Sequence, residues 1–345
     1  QTRAIYGGGD TNPALSNVIQ FHEMATSGDY ADFGDLTQAR RFYGCGASSN
    51  NNPGISTDGF ARPDIDPVGD IGFVMGGATP SSVNTVEQFS LASSGNAEDF
   101  GNLTGTSDQA GGFSDVVRAV RASGHTAGSM AVTTDTIFFQ SKGNAADFGD
   151  STQARRRGAG LSNNTRGVHG GGHTPTKVNT IDYYTIASSG NATDFGDLAS
   201  ATTNAGATSS STRGVFGGGN TGSAINVMQY ITIASTGDAT DFGDLTAARA
   251  GPGATGSDTR GLFGGAYPVS NVIDFITIAS TGDATDFGDL TQARNGATGG
   301  SLSNRTKGLF AGGYIYPASP AVSNVIDSVT IASTGNAVDH GDLTA

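Results

Sequence analysis

Acidic side chains between residues 50 and 70 come closest, in type and spacing, to a metal site. Four aspartates lie there, in a stretch that also contains three prolines: Asp58, Asp64, Asp66 and Asp70. Carboxylate oxygens are the ligands that Ca²⁺ prefers, so these four are weak calcium candidates. Their spacing matches no EF-hand loop, and we interpret the stretch as a solvated loop without a bound metal.

Histidines are the other potential metal ligands. His169 and His173 are separated by three glycines, and the remaining three are scattered: His22, His125 and His340. A zinc site needs three or four ligands, which the neighbouring sequence does not supply. We therefore predict neither a metal nor a cofactor.

The tripeptide Asp-Phe-Gly occurs six times. In protein kinases it holds Mg²⁺, but there it accompanies a glycine-rich phosphate loop, a strand lysine and an HRD loop, all of which this sequence lacks. Its glycine triplets also lack the following helix that would direct amides at a phosphate. Both patterns indicate packing positions, so we predict no catalytic residue and no enzyme.

These tripeptides belong to a longer phrase, such as GDATDFGDLT, that occurs in seven copies. The central positions, which we predict to form a repeated structural core, are Phe33, Phe100, Phe148, Phe195, Phe242, Phe287 and His340. Their intervals are 67, 48, 47, 47, 45 and 53 residues. A period near 47 residues is typical of a propeller blade.

Each copy follows a β-branched segment such as NVIDFITIAS and, further upstream, a Gly-ended segment such as TRGVFGGG. A stretch of small residues precedes both. Four short antiparallel strands per unit are therefore predicted, with apolar groups on both faces. Because one such sheet cannot bury both faces alone, we predict an all-β fold. Specifically, we predict a single seven-bladed β-propeller domain over residues 1–345.

Three units depart from the pattern. The second carries an insertion at about 50–68, and the third has VVRAVRASG in place of its Gly-ended strand. The first lacks the small-residue strand. We expect polypeptide beyond one end to complete the first unit; a three-stranded blade is the alternative.

Basic residues also recur at fixed places. One set ends T-x-A-R, and a second set precedes the Gly-ended strands: Arg40, Arg155, Arg249 and Arg294, then Arg3, Arg166, Arg213, Arg260 and Lys307. We predict that they form ion pairs with the last aspartate of the phrase: Asp35, Asp150, Asp197, Asp244, Asp289 and Asp342. A ring-shaped anion site is the alternative.

Composition limits the function further. The net charge of −13 and the sparse Lys and Arg argue against nucleic-acid binding. Cys45 is the only cysteine, which excludes an internal disulfide and a thiolate metal cage. No run of about 18 apolar residues occurs, so no membrane span is predicted.

The paired glycines at the end of the second strand resemble those of kelch-type propellers, although the tryptophan usual in kelch repeats is absent. The phrase TIASTGDATDFGDLTxAR with RGxFGGG is similar to repeats of virion structural and tail-fibre-like proteins of marine cyanobacterial tailed phages. This resemblance spans nearly the whole chain.

The resemblance implies an appendage or decoration protein of the virion. Its partners would be other virion proteins and a host-surface glycan or protein, contacted by several copies per particle. Partner contacts are expected in the irregular loops: the insertion with Asp64 and Asp66, the third unit, and the loop with Tyr314 and Tyr316. The alternative is a secreted or cell-surface bacterial lectin-like module, located outside the cell.

Overall fold

The described residues form short strands joined by turns and loops. A computed structural model describes residues 3–10, 15–23, 31–39, 45–48, 71–77, 81–90, 98–115, 117–126, 128–139, 141–163, 165–295, 301–303, 306–311, 313, 315, 323 and 325–342. These ranges contain 29 strands and no helix. Consequently, nothing in them is a helix with the length and apolar character needed to cross a membrane.

The first half of the chain forms three sheets and a hairpin. Sheet 1 consists of β1 (Arg3–Asp10), β2 (Leu15–Glu23) and β3 (Ala31–Asp35). Sheet 2 consists of β4 (Cys45–Ser48), β5 (Ile71–Met75), β6 (Thr85–Ser90) and β7 (Glu98–Asn102). Sheet 3 consists of β8 (Gly111–Ser114), β9 (Arg118–Ala122), β12 (Thr133–Phe138) and β13 (Ala146–Asp150). The hairpin β10 (His125–Thr126) and β11 (Ser129–Met130) lies between the second and third strands of sheet 3.

The second half forms four more sheets. Sheet 4 consists of β14 (Ala159–Ser162), β15 (Arg166–Gly170), β16 (Thr180–Thr185) and β17 (Thr193–Asp197). Sheet 5 consists of β18 (Gly206–Ser209), β19 (Arg213–Gly217), β20 (Ile225–Thr232) and β21 (Thr240–Arg249). Sheet 6 consists of β22 (Gly253–Gly256), β23 (Arg260–Gly264), β24 (Ser270–Thr277) and β25 (Thr285–Arg294). Sheet 7 consists of β26 (Ser301–Ser303), β27 (Lys307–Ala311), β28 (Val325–Thr330) and β29 (Val338–Asp342).

Sheets 2 to 7 are four-stranded, and each pairs its strands in chain order and antiparallel. This confirms the predicted order of small-residue, Gly-ended, β-branched and DFGDL strands. The first strands of sheets 2 to 7 pack against one another in succession. The chain therefore stacks sheet on sheet, with the small-residue strands at the contact.

The buried core lies between neighbouring sheets. Seven core side chains occupy the central position of the repeated phrase, and all are at most 3% exposed: Phe33, Phe100, Phe148, Phe195, Phe242, Phe287 and His340. Isoleucines of the third strands, such as Ile181 and Ile273, are fully buried beside them. Every sheet thus contributes the side chain at the central position of the phrase, from its last strand, to the core.

Two glycines of the second strand allow neighbouring sheets to approach closely. A Cβ on Gly170 of sheet 4 would lie 2.9 Å from the ring of Phe216 in sheet 5. A Cβ on Gly214 of sheet 5 would lie 2.5 Å from the side chain of Leu161 in sheet 4. Real Cβ atoms do not sit this close, so the absence of a side chain makes room for the packing.

The Asp-Phe-Gly tripeptide connects the fourth strands of adjacent sheets. Its glycine interrupts the strand register with a positive φ, +135° at Gly149. The next sheet lies directly against it: Gly190 donates its N–H to Phe148 O at 2.6 Å, and Asn191 Oδ1 accepts the N–H of Asp150 at 3.0 Å. The tripeptide therefore serves packing in this fold.

Candidate functional site

The T-x-A-R segment lies at the junction between consecutive sheets. At the junction of sheets 3 and 4, Thr152 donates its hydroxyl to Asp182 Oδ1 at 2.5 Å. Arg155 donates Nη2 to Asp182 Oδ2 at 2.7 Å and to the carbonyl of His169 at 2.8 Å. Both Arg155 and Asp182 are fully buried. The segment that leaves one sheet is thus bound to the third strand of the next.

The same arrangement recurs at two later junctions. Arg249 pairs with Asp274 at 2.8 Å between sheets 5 and 6, and Arg294 pairs with Asp327 at 2.6 Å between sheets 6 and 7. Burial raises the pKa of Asp274 and lowers the pKa of Arg249, because desolvation penalises both charged forms. The attraction between the two charges of each pair opposes this effect. These arginines therefore stabilise the contact between sheets.

This corrects the ion-pair prediction in two ways. Arg155, Arg249 and Arg294 do form buried pairs, but with the third-strand aspartate of the following sheet instead of the last aspartate of the phrase; Arg40 lies outside the described residues. At that last aspartate the observed contact is a backbone one: Asp150 and Asp197 donate their N–H groups to the next sheet.

Three arginines of the second set, Arg166, Arg213 and Arg260, make a different contact. The guanidinium groups of Arg213 and Arg260 lie 4.3 Å and 4.7 Å from the ring centroids of Tyr230 and Phe275. Each also donates to a backbone carbonyl of the following sheet; for Arg213 it is the carbonyl of Ile278, at 2.9 Å. Cation–π stacking and one hydrogen bond thus replace the predicted ion pair here.

Two junctions depart from this pattern and still satisfy their hydrogen bonds. Between sheets 4 and 5, Thr202 stands in place of the arginine, and Gln229 in place of the acid accepts the N–H of Ala199 at 2.6 Å. Between sheets 2 and 3, Arg121 comes from the strand β9 and pairs with Asp135 at 2.5 Å. Substitutions at these positions occur together.

One edge of the sheets differs from unit to unit, and we call it the variable edge. There the residue after the Gly-ended strand forms a β-bridge with a residue that precedes a first strand. The described bridges are His125 with Asp108, His173 with Arg156, Asn220 with Thr203, and Tyr267 with Ala250. The backbone geometry is shared, whereas the side chains range from cationic to aromatic.

Backbone hydrogen bonds link this edge from sheet to sheet. Arg157 donates its N–H to Gln109 O at 3.0 Å, Asn204 to Arg157 O at 3.2 Å, and Gly251 to Asn204 O at 2.8 Å. All four residues have a φ between +52° and +67°. The variable edge is therefore a continuous surface on a fixed backbone, which suits a contact surface.

Charge is unevenly distributed along the variable edge. Arg156, Arg157 and Lys177 lie near His173, and burial together with these cations lowers the pKa of the imidazole. His125 Nδ1 lies 3.1 Å from Asp108 Oδ1. Further along the edge, Tyr267 is 57% exposed. Cationic chemistry thus lies at sheets 3 and 4, and an exposed aromatic ring lies at sheet 6.

Several residues singled out from the sequence are not brought together. His169 is buried between sheets, whereas His173 lies at the variable edge. Within the described ranges, no three or more His, Cys, Asp or Glu side chains cluster as a metal site would require. The weak calcium candidates Asp58, Asp64, Asp66 and Asp70 lie outside those ranges, as do Tyr314 and Tyr316.

The variable edge was not singled out from the sequence. Its residues follow the paired glycines, and a comparison of the repeats at that position would have shown His125, His173, Asn220 and Tyr267 in turn. Comparison with known proteins finds neither a family model nor a curated protein that matches the chain.

Proposed function

We propose that this protein is a closed seven-bladed β-propeller that acts as a non-catalytic binding scaffold in a phage virion. The observation that carries the proposal is that recurring and variable positions of the repeat have different roles. The residues that recur in each repeat form the packing contacts between sheets. At the variable edge, by contrast, the side chains differ from unit to unit while the backbone geometry stays the same. Specificity placed on loops above a rigid scaffold is typical of binding proteins.

Closure of the ring would use the contact already present between adjacent fourth strands. At the junction of sheets 6 and 7, Gly335 donates its N–H to Phe287 O at 2.7 Å, and Asn336 Oδ1 accepts the N–H of Asp289 at 3.1 Å. The first copy of the phrase has Gly28 and Asp29 at the equivalent positions, outside the described residues. We expect them to bind the strand β29 in the same way.

Binding in a virion would be multivalent. Each copy of the contact surface does not need high affinity when many copies in one particle bind together, because linked sites raise the effective concentration of one another. The variable edge adds its own residues to the irregular loops expected to contact partners. In sheet 3 it also carries the hairpin β10–β11, which sheets 4 to 6 do not have.

The first test is association with particles. Purified virions of the phage that encodes the chain should contain it in many copies by quantitative mass spectrometry. A chain that is made during infection but is absent from purified particles would contradict the proposal.

The second test places the contact. Alanine substitution of His125, His173, Asn220 and Tyr267 together should reduce particle assembly or host adsorption. A matched variant carries alanine at the exposed rim residues Thr193, Thr240 and Thr285, and it should behave as the wild type. Equal assembly and adsorption in both variants would remove the variable edge from the binding surface.

A lectin-like propeller is the second candidate, and the exposed Tyr267 favours it. An aromatic face exposed on the same edge as the amide of Asn220 is chemistry that binds sugars. A glycan array tests this directly: selective binding that is lost in Tyr267→Ala supports the lectin, and an array without binding counts against it.

A further inference from the structure

Four basic side chains meet at the variable edge of sheets 3 and 4. Arg156 and Arg157 precede β14, whereas His173 and Lys177 lie in the loop between β15 and β16. His173 bridges both segments: it exchanges backbone hydrogen bonds with Arg156 at 2.8 and 3.0 Å, and it also forms a β-bridge with Lys177. Two loops therefore hold the cluster on paired backbone.

The cluster stands out against the charge of the chain. The net charge is −13, and the buried junction arginines Arg155, Arg249 and Arg294 are each paired with a buried aspartate. Within the described ranges, no carboxylate lies within 4 Å of Arg156 or Lys177, since neither takes part in an ion pair there. Asp108 interacts electrostatically with Arg156, but its hydrogen-bonded contact is with His125.

Hydrogen-bonding capacity at the cluster is not used by the fold. Arg156 Nε and His173 Nδ1 are shielded from solvent, and neither has a hydrogen-bond partner in the described part of the chain. Unsatisfied buried nitrogen atoms of this kind cost free energy. By contrast, Arg157 Nε donates to Gln109 Oε1 at 2.8 Å, which fixes that guanidinium within the cluster.

We propose that this cluster binds an oxyanion of the phosphate or sulfate kind. Arginine presents a planar fork of N–H donors that fits two oxygens of such a group, and lysine adds a point charge. A tetrahedral oxyanion would give Arg156 the acceptor that it lacks and would offset four adjacent positive or protonatable groups. The inference does not depend on a virion role, because it rests on the geometry of the cluster alone.

Isothermal titration calorimetry at low ionic strength tests the site, with inorganic phosphate and inorganic sulfate as the probes. We expect saturable binding to the wild-type chain that is about tenfold weaker in Arg156→Gln and in Lys177→Gln. Lys142→Gln is the matched control. Lys142 is an exposed lysine in the turn between β12 and β13, 3.6 Å from Glu98 and outside the cluster, and its loss should leave binding unchanged.

Three outcomes would overturn the proposal: no saturable binding to the wild type, binding as tight as that of the wild type in both Arg156→Gln and Lys177→Gln, or an equal loss of affinity in Lys142→Gln. If Arg156→Gln fails to fold, Lys177→Gln carries the test alone, since the side chain of Lys177 forms no hydrogen bond with the described residues. A sulfated disaccharide forms the last arm. Tighter binding than to free sulfate identifies a saccharide as the carrier, and equal binding identifies the free oxyanion.

Discussion

Two sheet junctions in this protein bind the same backbone N–H, one with a charged side chain and the other with a neutral one. Between sheets 5 and 6, Asp274 accepts the N–H of Thr246 at 3.0 Å and pairs with the buried Arg249. Between sheets 4 and 5, Gln229 accepts the N–H of Ala199 at 2.6 Å without any charge. Both arrangements satisfy the same backbone donor. The junction therefore requires an acceptor at this point, and the ion pair is one of two ways to supply it.

Removing the acceptor should affect the charged junction most. Asp274→Ala leaves the guanidinium of Arg249 buried and unpaired, and we expect it to lower the free energy of unfolding by about 3 to 5 kcal/mol. Gln229→Ala removes a neutral acceptor and should cost about 1 to 2 kcal/mol. Urea denaturation of both variants measures the difference.

The exposed Asp241→Ala provides the control and should change stability little. If Asp274→Ala does not fold, Asp274→Asn keeps the side-chain volume and should fall between the wild type and Asp274→Ala. Equal losses at Asp274 and Gln229 would mean that the buried charge is not what distinguishes the two junctions.

Converting one junction into the other sharpens the comparison. The triple variant Thr246→Ala, Arg249→Thr, Asp274→Gln copies the neutral junction into sheets 5 and 6. Because no charge is left unpaired, we expect the triple variant to unfold within about 2 kcal/mol of the wild type. Stability as low as that of Asp274→Ala would show that the two junctions are not interchangeable.

This comparison also shows what the sequence can predict. Strand order and the buried Phe positions follow from composition and periodicity, which act within one unit. The partner of Arg249 does not follow from them. Asp244 and Asp274 both stand at positions where an aspartate recurs among the repeats, and only the packing of the next sheet decides that Arg249 pairs with Asp274. A comparison of the repeats does indicate this partner, because the acid is replaced by Gln229 where the arginine is replaced by Thr202.

The candidate site was harder to predict for a related reason. His125, His173, Asn220 and Tyr267 share no chemistry, so no motif marks them. Their common feature is backbone position after the paired glycines, which appears only when sheets are aligned in space.

A third expected effect concerns pH. His169 occupies the position held by Phe216 and Phe263 in sheets 5 and 6, and burial holds the pKa of its imidazole well below 6.5. The unfolded chain then binds a proton that the folded chain does not, so stability falls as the pH drops below about 6.5. The loss approaches about 1.4 kcal/mol per pH unit for this group.

The double variant Ala122→Gly, His169→Phe copies the glycine and aromatic pair of Gly170 and Phe216. Its stability between pH 7 and pH 5 should vary less than that of Ala122→Gly alone, by denaturant unfolding at each pH. The same acid sensitivity in both variants would assign the effect to other groups.

The smallest expected effect is at sheet 6, where an alanine replaces the second of the paired glycines. Ala266 has a φ of +137°, whereas the corresponding Gly219 in sheet 5 has a φ of +111°. An L-residue is strained there, so Ala266→Gly should stabilise the fold by about 1 kcal/mol. Thermal unfolding measures it, with Ala254→Gly in the neighbouring strand as a control that should destabilise. A lower melting temperature for Ala266→Gly would argue against strain at this position.

The proposed function depends most on closure of the sheets into a ring. A crystal structure of the chain tests it at a single place, the outer edge of the strand β29. We expect Gly28 to donate its N–H to the carbonyl of His340, as Gly335 does to Phe287 at 2.7 Å. An outer edge of β29 without this contact, or a ring with another number of sheets, would contradict it.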